Sequence, residues 1–246
     1  MTNRPEQSLH RFPNLEALSR AAARMLVEDV RAVLDTQDRY TLALAGGSTP
    51  KRLYELLASG AEGTVPWNRV HVFWGDERYV PLWDERSNAH LAQTALLETI
   101  SIPEENVHPV PTHEDSPEAA AAAYADTLRQ YFSEKSHTFD TVLLGLGSDG
   151  HTASLFPKTP RLGRAADWVR VVEAPPQHEV ATRLTCSLPV LNGSRRAVFL
   201  VSGTRKREAV HRVLHEQDAS LPATHVQPRV HLDWYLDRAS WPLKSG

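Results

Sequence analysis

Apolar residues recur along this chain with two periods that alternate. From Leu15 to Leu34 they are spaced three and four residues apart, which predicts a helix with one buried face and with Asn14 as its N-cap. The next apolar run, Tyr40 to Ala45, is short and continuous and predicts a buried strand. The following sequence, GGSTPKRLYELLASG, predicts a turn and then a helix capped by Thr49, with Pro50 in its first turn.

The same order of strand, turn and helix continues to the end of the chain. The strand VHVFW precedes a helix from about Ser87 to Glu98, and a helix that contains the alanine run 119–123 precedes the strand TVLLG. Further strands are predicted at WVRVVEA, TRLTCS, AVFLVSG and RVHLDWYL. This alternation predicts an α/β fold, a mainly parallel sheet with helices on both faces, in one domain over residues 1–246. Ligands bind such sheets at the carboxyl ends of the strands, so we expect the loops that follow the strands to meet at one site.

Composition narrows the classes of ligand. The 246 residues are 41% hydrophobic and carry a formal net charge of −3, which gives no overall attraction to nucleic acid or anionic lipid. No apolar stretch approaches the roughly 20 residues that cross a bilayer. Cys186 is the only cysteine, so an internal disulfide is excluded, and the polar N-terminal sequence has no apolar signal core. These features predict a cytoplasmic protein with a small anionic ligand and with no nucleic-acid or membrane partner.

The first candidate loop, AGGSTP, places Gly46, Gly47 and Ser48 after a predicted strand. Open glycine N–H groups, the Ser48 hydroxyl and the N-terminus of the next helix suit a phosphate group. A tight turn with a hydroxyl N-cap explains the same residues without a ligand. The full G-x-x-x-x-G-K-[ST] pattern of a nucleotide P-loop is missing, so ATP binding is disfavoured.

The second candidate loop, WGDERYVP, contains three consecutive charged residues, Asp76, Glu77 and Arg78, after the strand VHVFW. Charges in this position usually belong to a solvated loop. Taken alone, this stretch therefore favours an exposed loop over a binding site.

The third candidate loop is GLGSDGHTASLFP, residues 145–157. Its glycines fit the dinucleotide pattern G-x-G-x-x-G, but Pro157 follows too soon for the helix that this pattern requires, so dinucleotide binding is disfavoured. His151 can accept a proton near neutral pH, and Asp149 can orient its imidazole. A loop histidine held by backbone contacts is the alternative interpretation.

Basic residues follow or lie within two later strands. Arg183 is part of TRLTCS, and Arg205, Lys206 and Arg207 begin the helix after AVFLVSG. Cations at a helix N-terminus are electrostatically unfavourable unless an anion accompanies them, which suggests a phosphate ligand. A solvated charge cluster is the alternative.

A second histidine cluster suggests a metal site at first sight. Glu208, His211 and His215 share one face of a predicted helix and resemble half of a carboxylate–histidine metal site. The other half is missing, and the opposite face of the helix is apolar, so we expect the three side chains to face water. No other set of three or four ligands is evident, and the sequence predicts no metal centre.

Five blocks of this sequence, in order and in register, resemble the 6-phosphogluconolactonase family. The blocks are LALAGGSTPKRLYELLA, WNRVHVFWGDERYVP with SNAHLAQTALL, FDTVLLGLGSDGHTASLFP, TRLTCSLPVLN and VSGTRKREAV. The resemblance implies a modified Rossmann-like fold, shared with glucosamine-6-phosphate deaminases and ribose-5-phosphate isomerases. It also implies hydrolysis of 6-phospho-D-glucono-1,5-lactone to 6-phospho-D-gluconate in the oxidative pentose phosphate pathway.

The resemblance also implies roles for individual residues. His151 would be the general base that activates water, Asp149 would support it, and Arg78 would stabilise charge near the carbonyl, with the division of roles between Asp76 and Arg78 left open. The implied phosphate-binding residues are Gly46, Gly47, Ser48, Arg183 and Lys206. No metal or cofactor is implied, because a lactone is already an activated ester.

Two other functions stay open at this stage. A deaminase or isomerase on the same fold needs a further acid or base, and the deaminases have a glutamate five residues after the DGH histidine, where this chain has Phe156. A sugar-phosphate-sensing regulator needs a basic helix-turn-helix segment, whereas residues 1–39 predict one long amphipathic helix. For the assembly, we expect a monomer or a weak dimer.

Overall fold

The computed structural model describes residues 4–133, 137–157 and 167–242. Its strands are β1 (Glu6–Phe12), β2 (Tyr40–Leu44), β3 (Val70–Trp74), β4 (Asp76–Arg78), β5 (Thr141–Leu144), β6 (Val169–Glu173), β7 (Thr182–Cys186), β8 (Arg196–Val201) and β9 (His231–Asp237). Its α-helices are α1 (Leu15–Leu34), α2 (Ser48–Ser59), α3 (Asn88–Ala92), α4 (Pro117–Phe132), α5 (Leu188–Asn192) and α6 (Arg207–His211). The segments Gln93–Leu97 and Arg212–Glu216 are π-helical turns that continue α3 and α6.

Six of these strands form one parallel sheet in the order β1-β9-β8-β5-β2-β3. The predicted α/β class with a mainly parallel sheet is confirmed. From β2 the chain crosses to β3 at one edge of the sheet, and from β5 it crosses to β8 on the opposite side. The loops that follow β2 and β5 therefore diverge, and the space between them is the switch point at which such sheets bind ligands.

The other three strands form a second sheet that the sequence did not predict. It is antiparallel, in the order β4-β7-β6. The expected solvated loop at residues 76–78 is wrong, because this stretch is β4 and the exposed fraction of Glu77 is 0%. Its carboxylate accepts hydrogen bonds from the backbone N–H groups of Asn88 and Ala89, each at 2.7 Å. Burial raises the pKa of Glu77 to about 7, and these hydrogen bonds act in the opposite direction.

The longer helices follow the sequence prediction except at the start of α2, and the short helix α5 was not predicted. Asn14 caps α1 as predicted, with its Oδ1 accepting from the N–H of Ala17 at 2.9 Å. The prediction that Thr49 caps α2 is wrong, because α2 begins at Ser48 and Gly47 takes the N-cap position with a φ of 105°. Glycine adopts this conformation without a steric penalty. The helix therefore begins two residues earlier than it would with Thr49 as its N-cap.

Strand β1 was also missed, for a different reason. It pairs only with β9 at the edge of the parallel sheet, and its residues are alternately exposed and half-buried. An edge strand with little buried surface has no continuous apolar run. Its sequence, EQSLHRF, therefore gives a weak strand signal.

The interior of the parallel sheet supports the loops of the site. All five residues of β2 and all four of β5 are buried, and α1 packs against α2. The loops after these strands thus begin at buried, closely packed residues. Among the described residues, no helix has the length and apolar character needed to span a membrane.

Candidate active site

A pocket of about 480 Å³ opens at the carboxyl edge of the parallel sheet. It is lined by the segments 45–50, 143–147 and 200–206, which follow or end β2, β5 and β8, and by side chains of the antiparallel sheet. The predicted site residues that line it are Gly46, Gly47, Ser48, Arg78, His151, Arg183 and Lys206. The expectation that the loops after the strands meet at one place is confirmed.

The loop after β2 brings main-chain atoms to the wall of this pocket. A Cβ atom at Gly46 would lie 1.8 Å from Oδ1 of Asn88, so only glycine fits there. Gly47 and Ser48 then lead into α2, whose first N–H groups have no partner within the helix. A helix N-terminus that borders a pocket favours an anion in it.

Cationic side chains surround the same space. Arg78 and Arg183 are paired across β4 and β7, and the exposed fraction of Arg183 is only 7%. Burial and the charge of Arg78 hold the pKa of Arg183 below its usual value, and burial and Arg205 do the same for the pKa of Lys206. Within the described ranges, neither Arg183 nor Lys206 forms an ion pair with a carboxylate. An anion bound here would relieve the repulsion among these cations.

His151 and Asp149 form a direct pair beside this cationic region. Nδ1 of His151 lies 2.5 Å from Oδ1 of Asp149, which also accepts from the His151 backbone N–H at 3.1 Å. Burial acts to raise the pKa of Asp149, but its hydrogen bond to His151 and the attraction between the two outweigh it and lower the pKa to about 2. The ionised aspartate holds the imidazole proton on Nδ1, which leaves Nε2 of neutral His151 as the proton acceptor.

The loop backbone fixes the position of this pair. The N–H of Gly147 donates to the carbonyl of His151 at 2.8 Å, and Gly150 turns the chain with a φ of 84°. A Cβ atom at Gly147 would lie 2.0 Å from Nδ1 of His151 and 2.5 Å from Oδ1 of Asp149. Glycine at 147 is therefore a steric requirement of the pair.

Two further contacts shape the wall next to His151. Oδ2 of Asp76 accepts a hydrogen bond from Oγ of Ser154 at 2.6 Å, and the backbone carbonyl of Asp76 accepts one from Nδ2 of Asn88 at 2.8 Å. Phe156 is buried, and its ring lies 4.7 Å from that of His151. A hydrocarbon ring thus occupies the position at which the deaminase pattern has a carboxylate.

The sequence did not point to His178, which also lines the pocket. Its ring lies 5.4 Å from that of His151 and 5.0 Å from that of Phe156, edge to face with both. Burial and the charge of Arg183 lower the pKa of His178. His178 lies in the hairpin loop between β6 and β7, and the close spacing of these two predicted strands was the one available signal for the hairpin.

Three groups, two of which line the pocket, are close enough to be considered for a metal ion. Ligand atoms of Asp149, His151 and His178 lie within 4.8 Å of one another, a combination that transition metals accept. The hydrogen bond between Asp149 and His151 already uses one ligand atom of each residue, so an ion between these two atoms would have to replace the shared proton. The geometry fits a proton-transfer pair better than a preformed metal site.

The cluster of Glu208, His211 and His215, on α6 and the π-helical turn that continues it, does not line this pocket. Glu208 and His215 are exposed, and His211 lies 3.4 Å from a carboxylate oxygen of Glu216. Ala209 and Val210 form the buried side of the helix. The prediction that the three polar residues face water is confirmed for Glu208 and His215, while His211 is half-buried.

An α/β sheet with a glycine loop, a helix N-terminus and a histidine–aspartate pair at its carboxyl edge is typical of enzymes that act on small anionic molecules. The chain belongs to the family described as glucosamine-6-phosphate isomerases/6-phosphogluconolactonase, whose profile matches residues 13–234. The family resemblance predicted from the sequence is confirmed.

Relatives of known name support this assignment over most of the chain. A 6-phosphogluconolactonase from Synechocystis sp. is 44% identical over 203 residues, 80% of this chain and 82% of its own. One from Nostoc sp. is 38% identical and covers 93% of this chain and 95% of its own. The crystal structure of 6-phosphogluconolactonase from Thermotoga maritima has a TM-score of 0.83 at 30% identity, covering 95% of this chain and all of that one. A monomeric glucosamine-6-phosphate deaminase shares the fold, with a TM-score of 0.81 at 21% identity.

Proposed function

We propose that this protein hydrolyses 6-phospho-D-glucono-1,5-lactone to 6-phospho-D-gluconate, a step of the oxidative pentose phosphate pathway. The observation that carries the proposal is the His151–Asp149 pair at 2.5 Å, set in a pocket that holds Arg183 and Lys206. Its relatives from Synechocystis sp. and Nostoc sp. are named for this activity.

The two ends of the substrate differ in charge, and we assign a different group of pocket residues to each end. The 6-phosphate binds at the N-terminus of α2, against Gly46, Gly47 and Ser48, with the charges of Arg183 and Lys206 around it. The lactone carbonyl then lies toward His151 and Arg78. Arg78 faces the oxygen on which negative charge develops, and its electrostatic effect is larger in the transition state than in the ground state.

The reaction needs one proton acceptor that later becomes a donor. Nε2 of His151 takes a proton from water as the water oxygen bonds to C1 of the lactone, and the ionised Asp149 stabilises the resulting imidazolium. When the bond between C1 and the ring oxygen breaks, its electron pair goes to the ring oxygen. His151 returns its proton there, and the enzyme is regenerated.

Turnover of the lactone tests the proposed function. Freshly made 6-phosphogluconolactone should open faster with the protein than without it, at a rate proportional to protein concentration after the spontaneous rate is subtracted. The subtraction is essential because the lactone also opens in water. A rate equal to the spontaneous one would refute the proposal.

Loss of a phosphate contact should mainly weaken substrate binding. We expect Arg183→Ala or Lys206→Ala to raise KM by about 10- to 100-fold, since each removes a charged contact to the phosphate worth about 1.5 to 3 kcal/mol. Lys51→Ala is the matched control, because Lys51 is exposed on α2 and lines a different groove. A normal KM in the Arg183→Ala, Lys206→Ala double variant would contradict this phosphate assignment.

Activity should not depend on a divalent metal ion. We expect full turnover after exhaustive dialysis against EDTA, because the His151–Asp149 pair and Arg78 supply a base and a positive charge without a metal. The metal content of the dialysed protein is measured in parallel. Loss of activity that a single divalent ion restores would instead assign Asp149, His151 and His178 to a metal centre.

Phe156 distinguishes the proposed lactonase activity from a deaminase activity. We expect no ammonia from glucosamine 6-phosphate, because the buried Phe156 ring offers no acid or base beside His151. An enzyme-coupled ammonia assay checks this, with an authentic deaminase as the positive control. Efficient release of ammonia would favour the deaminase over the lactonase.

The proposal extends to the setting of the enzyme. We propose that the active form is a monomer or a weak dimer. The net charge of −3 supports a function without nucleic acid. We propose that the reaction takes place in the cytosol. The one cysteine of the chain, Cys186, is buried and forms no disulfide, which suits a reducing compartment.

A further inference from the structure

His178 lines the pocket but has no part in the mechanism described above. Its contacts reach two groups that do have parts, since its ring packs edge to face on His151, and its Nδ1 lies 3.5 Å from an Nη2 of Arg183. His178 therefore lies between the proton acceptor and a cation assigned to the phosphate.

The covalent structure of the lactone indicates which substrate atom would lie next to His178. In 6-phospho-D-glucono-1,5-lactone the path from C1 to the phosphate runs through the ring oxygen, C5 and C6. A substrate with C1 at His151 and its phosphate at Arg183 thus brings its ring oxygen, the leaving group of the reaction, to the side chain between these two residues. This step rests on the proposed function.

The contact with Arg183, at 3.5 Å, favours one hydrogen-bonding role for His178. A guanidinium group has only donors, so Nδ1 of His178 is the acceptor of this contact. The single proton of the neutral imidazole is then on Nε2, which makes His178 a hydrogen-bond donor to an oxygen in the pocket.

We propose that His178 is a further catalytic residue, whose Nε2–H donates a hydrogen bond to the lactone ring oxygen as the bond from that oxygen to C1 breaks. The electron pair of the broken bond goes to the ring oxygen, and the proton that this oxygen receives comes from His151. His178 keeps its own proton and stabilises the charge that develops before His151 delivers its proton.

Two substitutions at this position separate hydrogen bonding from packing. Phenylalanine retains a ring against His151 and Phe156 but has no N–H, whereas glutamine retains a donor. We expect His178→Phe to lower kcat by about 10- to 100-fold, the cost of one hydrogen bond to a developing charge, with little change in KM. His178→Gln should recover part of this loss, and His113→Phe, at an exposed histidine outside the pocket, should have no effect.

A change in the leaving atom gives the decisive comparison. In the 5-thio analogue of the lactone, sulfur replaces the ring oxygen, and a thiolate leaves readily and accepts hydrogen bonds weakly. The loss caused by His178→Phe should therefore be at least tenfold smaller on the thiolactone than on the lactone, while the loss caused by His151→Asn persists on both. Equal losses of His178→Phe on the two substrates, normal kcat on the lactone, or a rise in KM alone would each overturn the proposal. Failure of the unsubstituted protein to hydrolyse the lactone would refute the proposed function itself.

Discussion

Replacing His151 by asparagine is expected to lower kcat for the lactone by about 100- to 10,000-fold, with little change in KM. Asparagine is polar and similar in size, and it can still hydrogen-bond to Asp149, but it cannot take a proton from water. The measurement is steady-state hydrolysis with the spontaneous rate subtracted, together with a thermal melt to confirm folding. Near-normal turnover by this variant would show that another group is the base.

The pH dependence of the unsubstituted protein tests the same assignment independently. Hydrogen bonding to His151 lowers the pKa of Asp149 to about 2 despite burial, so Asp149 stays ionised above that pH and does not titrate in an ordinary assay. We therefore expect any loss of kcat/KM on the acid side to follow protonation of the general base, which must be unprotonated to accept a proton from water, and not protonation of Asp149. Asp149→Asn should lower kcat less than His151→Asn does if the aspartate only orients and stabilises the imidazole.

Replacing Gly147 by alanine is expected to reduce kcat by about 100-fold, although position 147 takes no part in the chemistry. The new Cβ would lie 2.0 Å from Nδ1 of His151, which forces the imidazole to move, and a displacement of about 1 Å in a reacting group can cost 100-fold in rate. Steady-state kinetics give the loss in kcat, and circular dichroism confirms that the variant folds.

Ser148→Ala is the matched control for this substitution. Ser148 lies in the same loop, is exposed and is not among the residues that line the pocket. Its kcat should stay within about twofold of normal, the usual range for a substitution without a steric conflict. Similar losses in kcat for the two alanine variants would mean that the clash with His151 is not the cause.

Much of the fold could be predicted because local sequence and long-range packing agree. The buried strands β2, β3 and β5 are continuous apolar runs, and α1 has a helical period that begins at a side-chain cap, so each is visible in its own residues. The order of these elements was then enough to predict a parallel sheet and the edge at which its loops meet.

The antiparallel sheet could not be predicted in the same way. Strand β4 is the charged triplet 76–78, and its strand conformation depends on pairing with β7, a partner more than a hundred residues away. Its buried Glu77 carboxylate depends on donors from elsewhere in the fold, the backbone N–H groups of Asn88 and Ala89 in α3 and the hydroxyl of Ser87, besides the N–H of Arg78. No local pattern encodes either condition, since both are properties of the folded chain.

The candidate site, too, could be predicted only in part from the sequence. His151 and Asp149 are two residues apart, so the sequence could suggest that they act together, whereas only coordinates give the 2.5 Å between Nδ1 and Oδ1. His178 reaches the pocket through the β6–β7 hairpin, and its neighbours in sequence carry no sign of a site. Its approach to His151 depends on how the antiparallel sheet packs beside the parallel one.

A crystal structure with 6-phosphogluconate, the product, bound in the pocket most directly tests whether His151 is the proton acceptor at the lactone carbonyl. The quantity to measure is the distance from Nε2 of His151 to the nearest carboxylate oxygen of the product. We expect this distance to be within hydrogen-bond range, about 2.6 to 3.2 Å, with the phosphate at the N-terminus of α2 beside Arg183 and Lys206. A product bound in the reverse direction, with its phosphate at His151 and its carboxylate at Gly46 to Ser48, would contradict it.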